Sequence, residues 1–191
     1  MRFVVPFADR GERKTRLSSC MDERTREEFA LAMLRHVVRV LSGFGEVEVV
    51  TPDEELSVPG ASVRCSEAGL NELPLPVGER FGVVVSDLPL LSEEDVERAL
   101  EALEGADVVL CPARRGGTSG VFVREGVRFR PVFGGVSFPR NLERARGRGL
   151  EVRVVRSLGF FADVDVPEDL VDVALLGEGE VARLARSVVS V

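Results

Sequence analysis

The chain has 191 residues, with 45% hydrophobic and 30% charged side chains, which predicts a soluble globular chain forming one domain, 1–191, with ample apolar mass for a core. Its net charge of −7 argues against nucleic-acid binding through a broad basic surface. No apolar run approaches the roughly 18 residues of a transmembrane helix, and Met1 to Phe7 lacks the apolar length and small-residue cleavage site of a signal peptide. A cytoplasmic protein with no membrane partner is expected.

Phe3 to Phe7 reads as a first buried strand, followed by a polar, basic loop over 8–21. Asp22 is a natural N-cap, and a helix to about Leu41 places Phe29, Met33, Val37 and Val40 on one face. Gly43 and Gly45 end it. Glu46 to Thr51 alternates as a second strand, and Ser62 to Cys65 forms a short third. Gly69 to Gly78 is a loop or short helix broken by Pro74 and Pro76. Phe81 to Val85 is wholly apolar and reads as a central strand. Ser92 caps a helix through Leu103, with Glu93, Glu94 and Asp95 at its positive end. Asp107 to Cys111 is the next strand. Val121 to Arg124 and Phe129 to Phe133 read as short strands around a turn, Phe138 to Gly147 as a helix and Val152 to Val155 as a strand. Pro167 at N1 begins another helix, and residues 178–189 form the last. Strands alternating with helices predict an α/β fold with a mostly parallel central sheet.

Cys20, Cys65 and Cys111 form no C-x-x-C pair and read as reduced thiols. His36, the one histidine, falls mid-helix beside an apolar face and reads as structural. Charge is segregated: net +3 over 1–39, −13 over 40–111, +7 over 112–149 and −4 over 150–191. Two basic segments in an acidic chain point to a local anion site. Of 25 basic side chains only Lys14 is lysine. Lysine meets phosphate as a compact point charge, where arginine offers a planar fork.

Parallel sheets bind ligands at the carboxyl ends of their strands. The first strand leads to Lys14 and Arg16, and the central strand leads to Asp87. The strand after that leads to Arg114-Arg115-Gly116-Gly117-Thr118-Ser119. Near the C-terminus stands Asp163-Val164-Asp165-Val166-Pro167-Glu168-Asp169. A carboxylate at a buried strand end is costly unless it holds a cation or accepts backbone N–H bonds. Asp163 and Asp165, two apart, share one side of an extended segment. Such hard oxygen donors suit Mg²⁺, with an Asx turn at Asp87 and helix capping at Asp163 and Asp165 as the structural alternatives. Gly116-Gly117 and Gly134-Gly135 expose backbone N–H groups able to approach a phosphate or carboxylate. Neither a G-x-G-x-x-G nor a P-loop pattern occurs.

These segments, together with Thr51-Pro52-Asp53, Gly69-Leu70-Asn71, Ser86-Asp87-Leu88-Pro89 and Phe133-Gly134 with Ser137-Phe138, occur in the order seen in one family. Over nearly its whole length the chain resembles the 2-phospho-L-lactate guanylyltransferase family, of the pathway to the deazaflavin coenzyme F-420. The resemblance implies a three-layer, glycosyltransferase-A-like and Rossmann-related nucleotidyltransferase fold, GTP as donor and a small phosphorylated carboxylic acid as acceptor. It implies Mg²⁺ on Asp87, Asp163 and Asp165, with Lys14 and Arg16 gripping the triphosphate and Asn71 near the nucleoside. Thr118, Gly134 and Ser137 would hold the phosphate and carboxylate of the acceptor. Phosphoenolpyruvate and 3-phosphoglycerate are alternative acceptors of the same chemistry, and a nucleotidyltransferase for another phosphorylated acceptor is the other reading. A homodimer is left open.

Overall fold

A computed structural model describes residues 1–189; residues 190 and 191, the end of the expected single domain, lie outside the described residues. Seven strands form one sheet in the order β3-β2-β1-β4-β6-β5-β7. They are β1 Arg2–Pro6, β2 Glu46–Thr51, β3 Ser62–Cys65, β4 Phe81–Val84, β5 Val108–Pro112, β6 Thr118–Val123 and β7 Val152–Val154. All neighbours run parallel except β6, which is antiparallel to both β4 and β5.

Every residue of β4 and β6 is buried, as expected of strands covered on both faces. Alternate side chains serve the two layers. Phe3, Val84, Val109 and Phe122 face one core with helices α1 Glu23–Ser42 and α2 Glu93–Glu104. Val4, Val83, Leu110 and Val121 face the other, closed by α3 Ser137–Arg146 and the 127–133 segment. The result is the expected three-layer α/β architecture. A third cluster joins Leu17, Met21 and Phe29 to helices α5 Asp169–Leu176 and α6 Gly179–Val188.

The expected caps are present. Asp22 accepts the Thr25 N–H at 2.7 Å, and Ser92 with Asp95 forms a reciprocal capping box. Four expectations shift. Phe129 to Phe133 is not a strand: Pro131 lacks an N–H, and the Asn141 amide takes up both the N–H and the C=O of Val132, each at 2.8 Å. Strand β6 begins at Thr118 instead of Val121, which puts Thr118 and Ser119 in the sheet. The helix expected at Pro167 begins at Asp169, because the Asp169 carboxylate reaches back to the N–H groups of Asp165 and Val166. A one-turn helix, α4 Leu158–Phe161, is additional. It carries Phe160, buried and edge-on to Phe122 with ring centroids 5.9 Å apart. Four residues are too few to show helical periodicity.

Candidate active site

The carboxyl ends of β1, β4 and β5 meet at one edge of the sheet. Because β6 runs the other way, it presents its first residue, Thr118, at that same edge. The loop after β1 is anchored by Arg13, whose guanidinium is buried. It donates to Asp53 at 2.7 Å, to Glu27 at 2.8 Å and to the Ala8 carbonyl at 2.9 Å. It also lies 4.2 Å from the centre of the Phe7 ring. Burial opposes ionisation of Asp53, but its bonds from Arg13 and Arg10 outweigh this and hold its carboxyl below the usual range. Asp53 thus ties this loop to the end of β2.

Thus anchored, the loop turns through Lys14 in the left-handed region, at φ 52° and ψ 38°. This conformation is uncommon for a non-glycine residue, and its occurrence is concentrated at functional sites. The Lys14 ammonium donates to Asp87 Oδ2 at 2.6 Å, to the Val164 carbonyl, and to Asp165 Oδ1 at 3.4 Å. Burial disfavours its charge, yet the carboxylates of Asp87 and Asp165 prevail and its pKa is raised. Arg16 approaches Asp165 Oδ2 at 3.7 Å, with its side chain largely in solvent.

Asp87, three residues past β4, keeps its second oxygen, Oδ1, buried and, among the described residues, without a hydrogen-bond partner. Asp163 accepts the Arg114 N–H at 2.9 Å. Burial, then the charge of Asp87, pushes the Asp163 pKa up to about 6. An ammonium bridging two carboxylates, an orphaned carboxylate oxygen and a third carboxyl resisting ionisation describe a site short of positive charge. Among the described residues no three His, Cys, Asp or Glu side chains form a ready metal cage. Mg²⁺ needs none, since it takes one or two carboxylates and completes its shell with water and substrate phosphates. The donor set fits that ion.

Thr118 and Ser137 lie together. The Ser137 hydroxyl and the Asn141 amide both donate to Thr118 Oγ1, each at 3.1 Å. Gly134 and Gly135 have φ of 83° and 54° and precede α3, whose first turn has neither a side-chain cap nor an acidic residue. The Ser137 N–H is taken by the Gly135 carbonyl at 2.9 Å and Pro139 has none, so it is the helix dipole that favours an anion there. An added Cβ on Gly116 would stand 3.0 Å from Val136 Cγ1, so the 116–117 and 134–136 turns abut.

Asn71 is not brought in with this group. Its Oδ1 accepts the Phe133 N–H at 2.7 Å and its Nδ2 donates to the Phe133 carbonyl at 3.4 Å. It clasps two loops together instead of facing the neighbouring cleft. That cleft, of about 470 Å³, lies between the ends of β1, β2 and β4 and is bordered by Phe7, Pro52, Ala68, Leu70, Val85 and Asp87. A larger groove of about 850 Å³ runs elsewhere, beside Arg35, His36 and Arg39 of α1, and contains none of the strand-end carboxylates. His36 is structural, its Nε2 2.8 Å from the Leu91 carbonyl oxygen. All three cysteines are free thiols.

Three contributors escaped sequence reasoning. Arg13 looks like any other arginine in a basic run until Asp53 is placed beside it. Asp169 stands in the sequence as one more acidic residue near a helix start, until its oxygens are found on Arg115 and on the N–H groups of Asp165 and Val166. Asn141 could have been found, because it lies four residues after Ser137 on the helix face that carries that hydroxyl.

The fold, a mixed seven-stranded sheet with carboxylates at its strand ends, is of the nucleotide-diphospho-sugar transferase type. A Desulfovibrio desulfuricans putative nucleotide-diphospho-sugar transferase superposes with a TM-score of 0.74 at 18% identity, covering 97% of this chain and 94% of that one. A Mycobacterium tuberculosis H37Rv protein solved in complex with manganese superposes at 0.52 and 17% identity, covering 88% and 94%. Residues 1–188 match the family model described as guanylyl transferase CofC like. A Methanopyrus kandleri protein named 2-phospho-L-lactate guanylyltransferase is 81% identical over 191 residues, all of both chains. The chain belongs to the CofC-like family of 2-phospho-L-lactate guanylyltransferases. Among the described residues, no helix is long and apolar enough to cross a membrane.

Proposed function

We propose that this chain, acting as one domain, transfers GMP from GTP to 2-phospho-L-lactate, giving lactyl-diphospho-guanosine and pyrophosphate for coenzyme F-420 synthesis in the cytoplasm. An oxygen of the acceptor phosphate attacks the α-phosphorus of GTP. A new P–O bond forms there, and the bond from the α-phosphorus to the bridging oxygen breaks, so that the β- and γ-phosphoryl groups leave together. The attacking oxygen is already ionised near neutral pH, so no general base is needed. This suits a chain whose single histidine is held by a backbone carbonyl.

The reaction needs neutralised charge and in-line placement. Asp87, Asp163 and Asp165 would hold Mg²⁺, which on binding neutralises phosphate charge and polarises the phosphoryl centre. Lys14 and Arg16 grip the triphosphate from the neighbouring loop. The 470 Å³ cleft beside Asp87 accommodates the nucleoside, its size within the usual range of ligand pockets. Asn71 shapes one wall of that region by holding the 69–73 and 130–133 segments together. Thr118, Gly134 and Ser137 form the edge that receives the acceptor's anionic groups, with the buried Ser137 hydroxyl orienting that of Thr118 at the start of β6. In Thr118 the hydroxyl oxygen already accepts two bonds, leaving its own proton to donate to the acceptor.

The observation that carries this reading is the Lys14 ammonium seated between Asp87 and Asp165, beside the partnerless Asp87 Oδ1. Pyrophosphate release from purified protein with Mg²⁺, GTP and 2-phospho-L-lactate tests it. The expected result is release with this pair, weaker release with phosphoenolpyruvate or 3-phosphoglycerate, and at least a 1,000-fold fall (an order-of-magnitude expectation) in Asp87→Asn without loss of fold. No release from folded protein with any nucleotide or acceptor would overturn it.

A further inference from the structure

Among the described residues, two non-glycine residues adopt positive φ: Lys14 at 52° and Arg115 at 56°. Both are cations, and both reach toward the same acidic loop. Lys14 approaches from the β1 side. Arg115 approaches from the β5 side, where its Nη2 donates to Asp169 Oδ1 at 2.8 Å. Asp169 is buried, and its other oxygen holds the N–H groups of Asp165 and Val166. The Arg115 guanidinium is thereby fixed next to the backbone that carries Asp163 and Asp165. A left-handed arginine directly ahead of Gly116-Gly117 is backbone strain with no packing return, since about half of its side chain remains exposed.

Its two nearest counterparts are placed differently. Arg114 pairs with Asp172, approaches Asp169 at 3.5 Å and lies 5.7 Å from the centre of the Phe161 ring. Arg16 sits on the Lys14 side of Asp165. Arg115 has one guanidinium nitrogen bonded to Asp169 and, among the described residues, no partner for its other N–H donors. In the chain Arg115 directly precedes Gly116 and Gly117, the turn that meets residues 134–136. The acceptor brings a carboxylate as well as a phosphate to an edge that already holds Asp163, Asp165, Asp169 and Asp172. Lys14 and a bound cation answer the phosphates, and the carboxylate needs a cation of its own.

We infer that Arg115, held in place by Asp169, binds the carboxylate of the phosphorylated acceptor and makes the enzyme select carboxylated phosphate esters over plain ones. This rests on the guanylyltransferase reading above. A guanidinium suits the task because its planar fork matches a carboxylate in two parallel hydrogen bonds.

The test compares 2-phospho-L-lactate with isopropyl phosphate, which has a methyl in place of the carboxylate, on wild type, Arg115→Gln and Arg115→Lys. Binding is followed by calorimetry with Mg²⁺ and a non-hydrolysable GTP analogue, and turnover by pyrophosphate release. Arg115→Gln is expected to weaken 2-phospho-L-lactate on the order of 10- to 100-fold in both assays. Isopropyl phosphate and the KM for GTP should change less than about threefold, with Arg115→Lys in between. An equal loss for both acceptors would make Arg115 a strut for the acidic loop and overturn the inference. So would unchanged binding of 2-phospho-L-lactate. Acceptor binding by wild type without pyrophosphate release would instead overturn the guanylyltransferase reading and leave the Arg115 comparison standing on the calorimetry. Folded wild type that binds neither acceptor would overturn both.

Discussion

Lys14 shows what a single side chain decides here. In a chain that otherwise uses arginine for every basic position, this one site seats an ammonium between two carboxylates and a carbonyl. A point charge with three rotatable donors fits that arrangement, and a planar fork does not. Lys14→Arg should therefore keep the charge yet lower kcat by about 100-fold or more, measured by pyrophosphate release. Asp163 sets the pH response. Its native pKa of about 6 lies above the ordinary 3.8, so the folded state keeps a proton that the unfolded chain loses between these values. In the absence of metal, Asp163 therefore makes stability fall as pH rises through that window. Mg²⁺ needs the ionised form, so its apparent affinity should drop up to tenfold per pH unit below about pH 6. Calorimetric titration of Mg²⁺ from pH 5 to 8 checks this, and a flat profile would show that Asp163 takes no part in metal binding.

At the scale of elements, the site depends on how loops are tied to the sheet. The buried Arg13–Asp53 pair fastens the β1 loop to the end of β2. Arg13→Ala leaves Asp53 buried beside only the largely exposed Arg10, and should cost about 3–5 kcal/mol in urea denaturation. Asp53 acts on stability in the opposite sense to Asp163: its carboxyl is held below 3.8, so its contribution is present above that pH and lost as pH falls through the native value. Short α4 is packed as tightly. A Cβ on Gly159 would run into Asp95 Oδ2, the oxygen that accepts from Ser92 in the α2 capping box, and would approach the Leu90 carbonyl. Gly159→Ala should destabilise by roughly 1–3 kcal/mol in thermal melts. The longer elements were legible because their periodicities are local: α1 and α2 announce themselves by an apolar stripe and a cap, β4 by a solid apolar run. Phe129 to Phe133 reads as a strand because it alternates, but Phe129 and Phe133 both enter one core without a partner strand, and Asn141 takes up the Val132 backbone.

For the whole molecule, the candidate site draws on the β1 loop, the β4 end, the β5–β6 turn, the start of α3 and the α4–α5 connection. Substrate binding therefore bridges segments far apart in the chain. Mg²⁺ and a non-hydrolysable GTP analogue at 100 times Kd should stabilise the fold by about 2.7 kcal/mol. For a chain of this size that raises the melting temperature by about 5–10 °C. Asp87→Asn should lose most of this shift, and an equal shift in both proteins would place the nucleotide away from Asp87.

Determined by the sequence alone were the α/β class, the caps of α1 and α2, and the rule that strand ends carry the chemistry, because each rests on patterns within a few residues. The same local order made Lys14, Asp87, Asp163, Asp165, Thr118 and Ser137 candidates. Only the tertiary structure decided which of them meet and what holds them. The antiparallel turn of β6 brings Thr118 to the site edge, Asp53 makes Arg13 an anchor, and Phe133 takes up the Asn71 amide. Asp169 turns from a helix-start charge into the link between Arg115 and the backbone of Asp165 and Val166. The physical reason is range: propensity and periodicity act along a turn or a strand, whereas a buried charge acquires its meaning from a partner that the chain delivers from 40 or more residues away, as Asp53 is to Arg13.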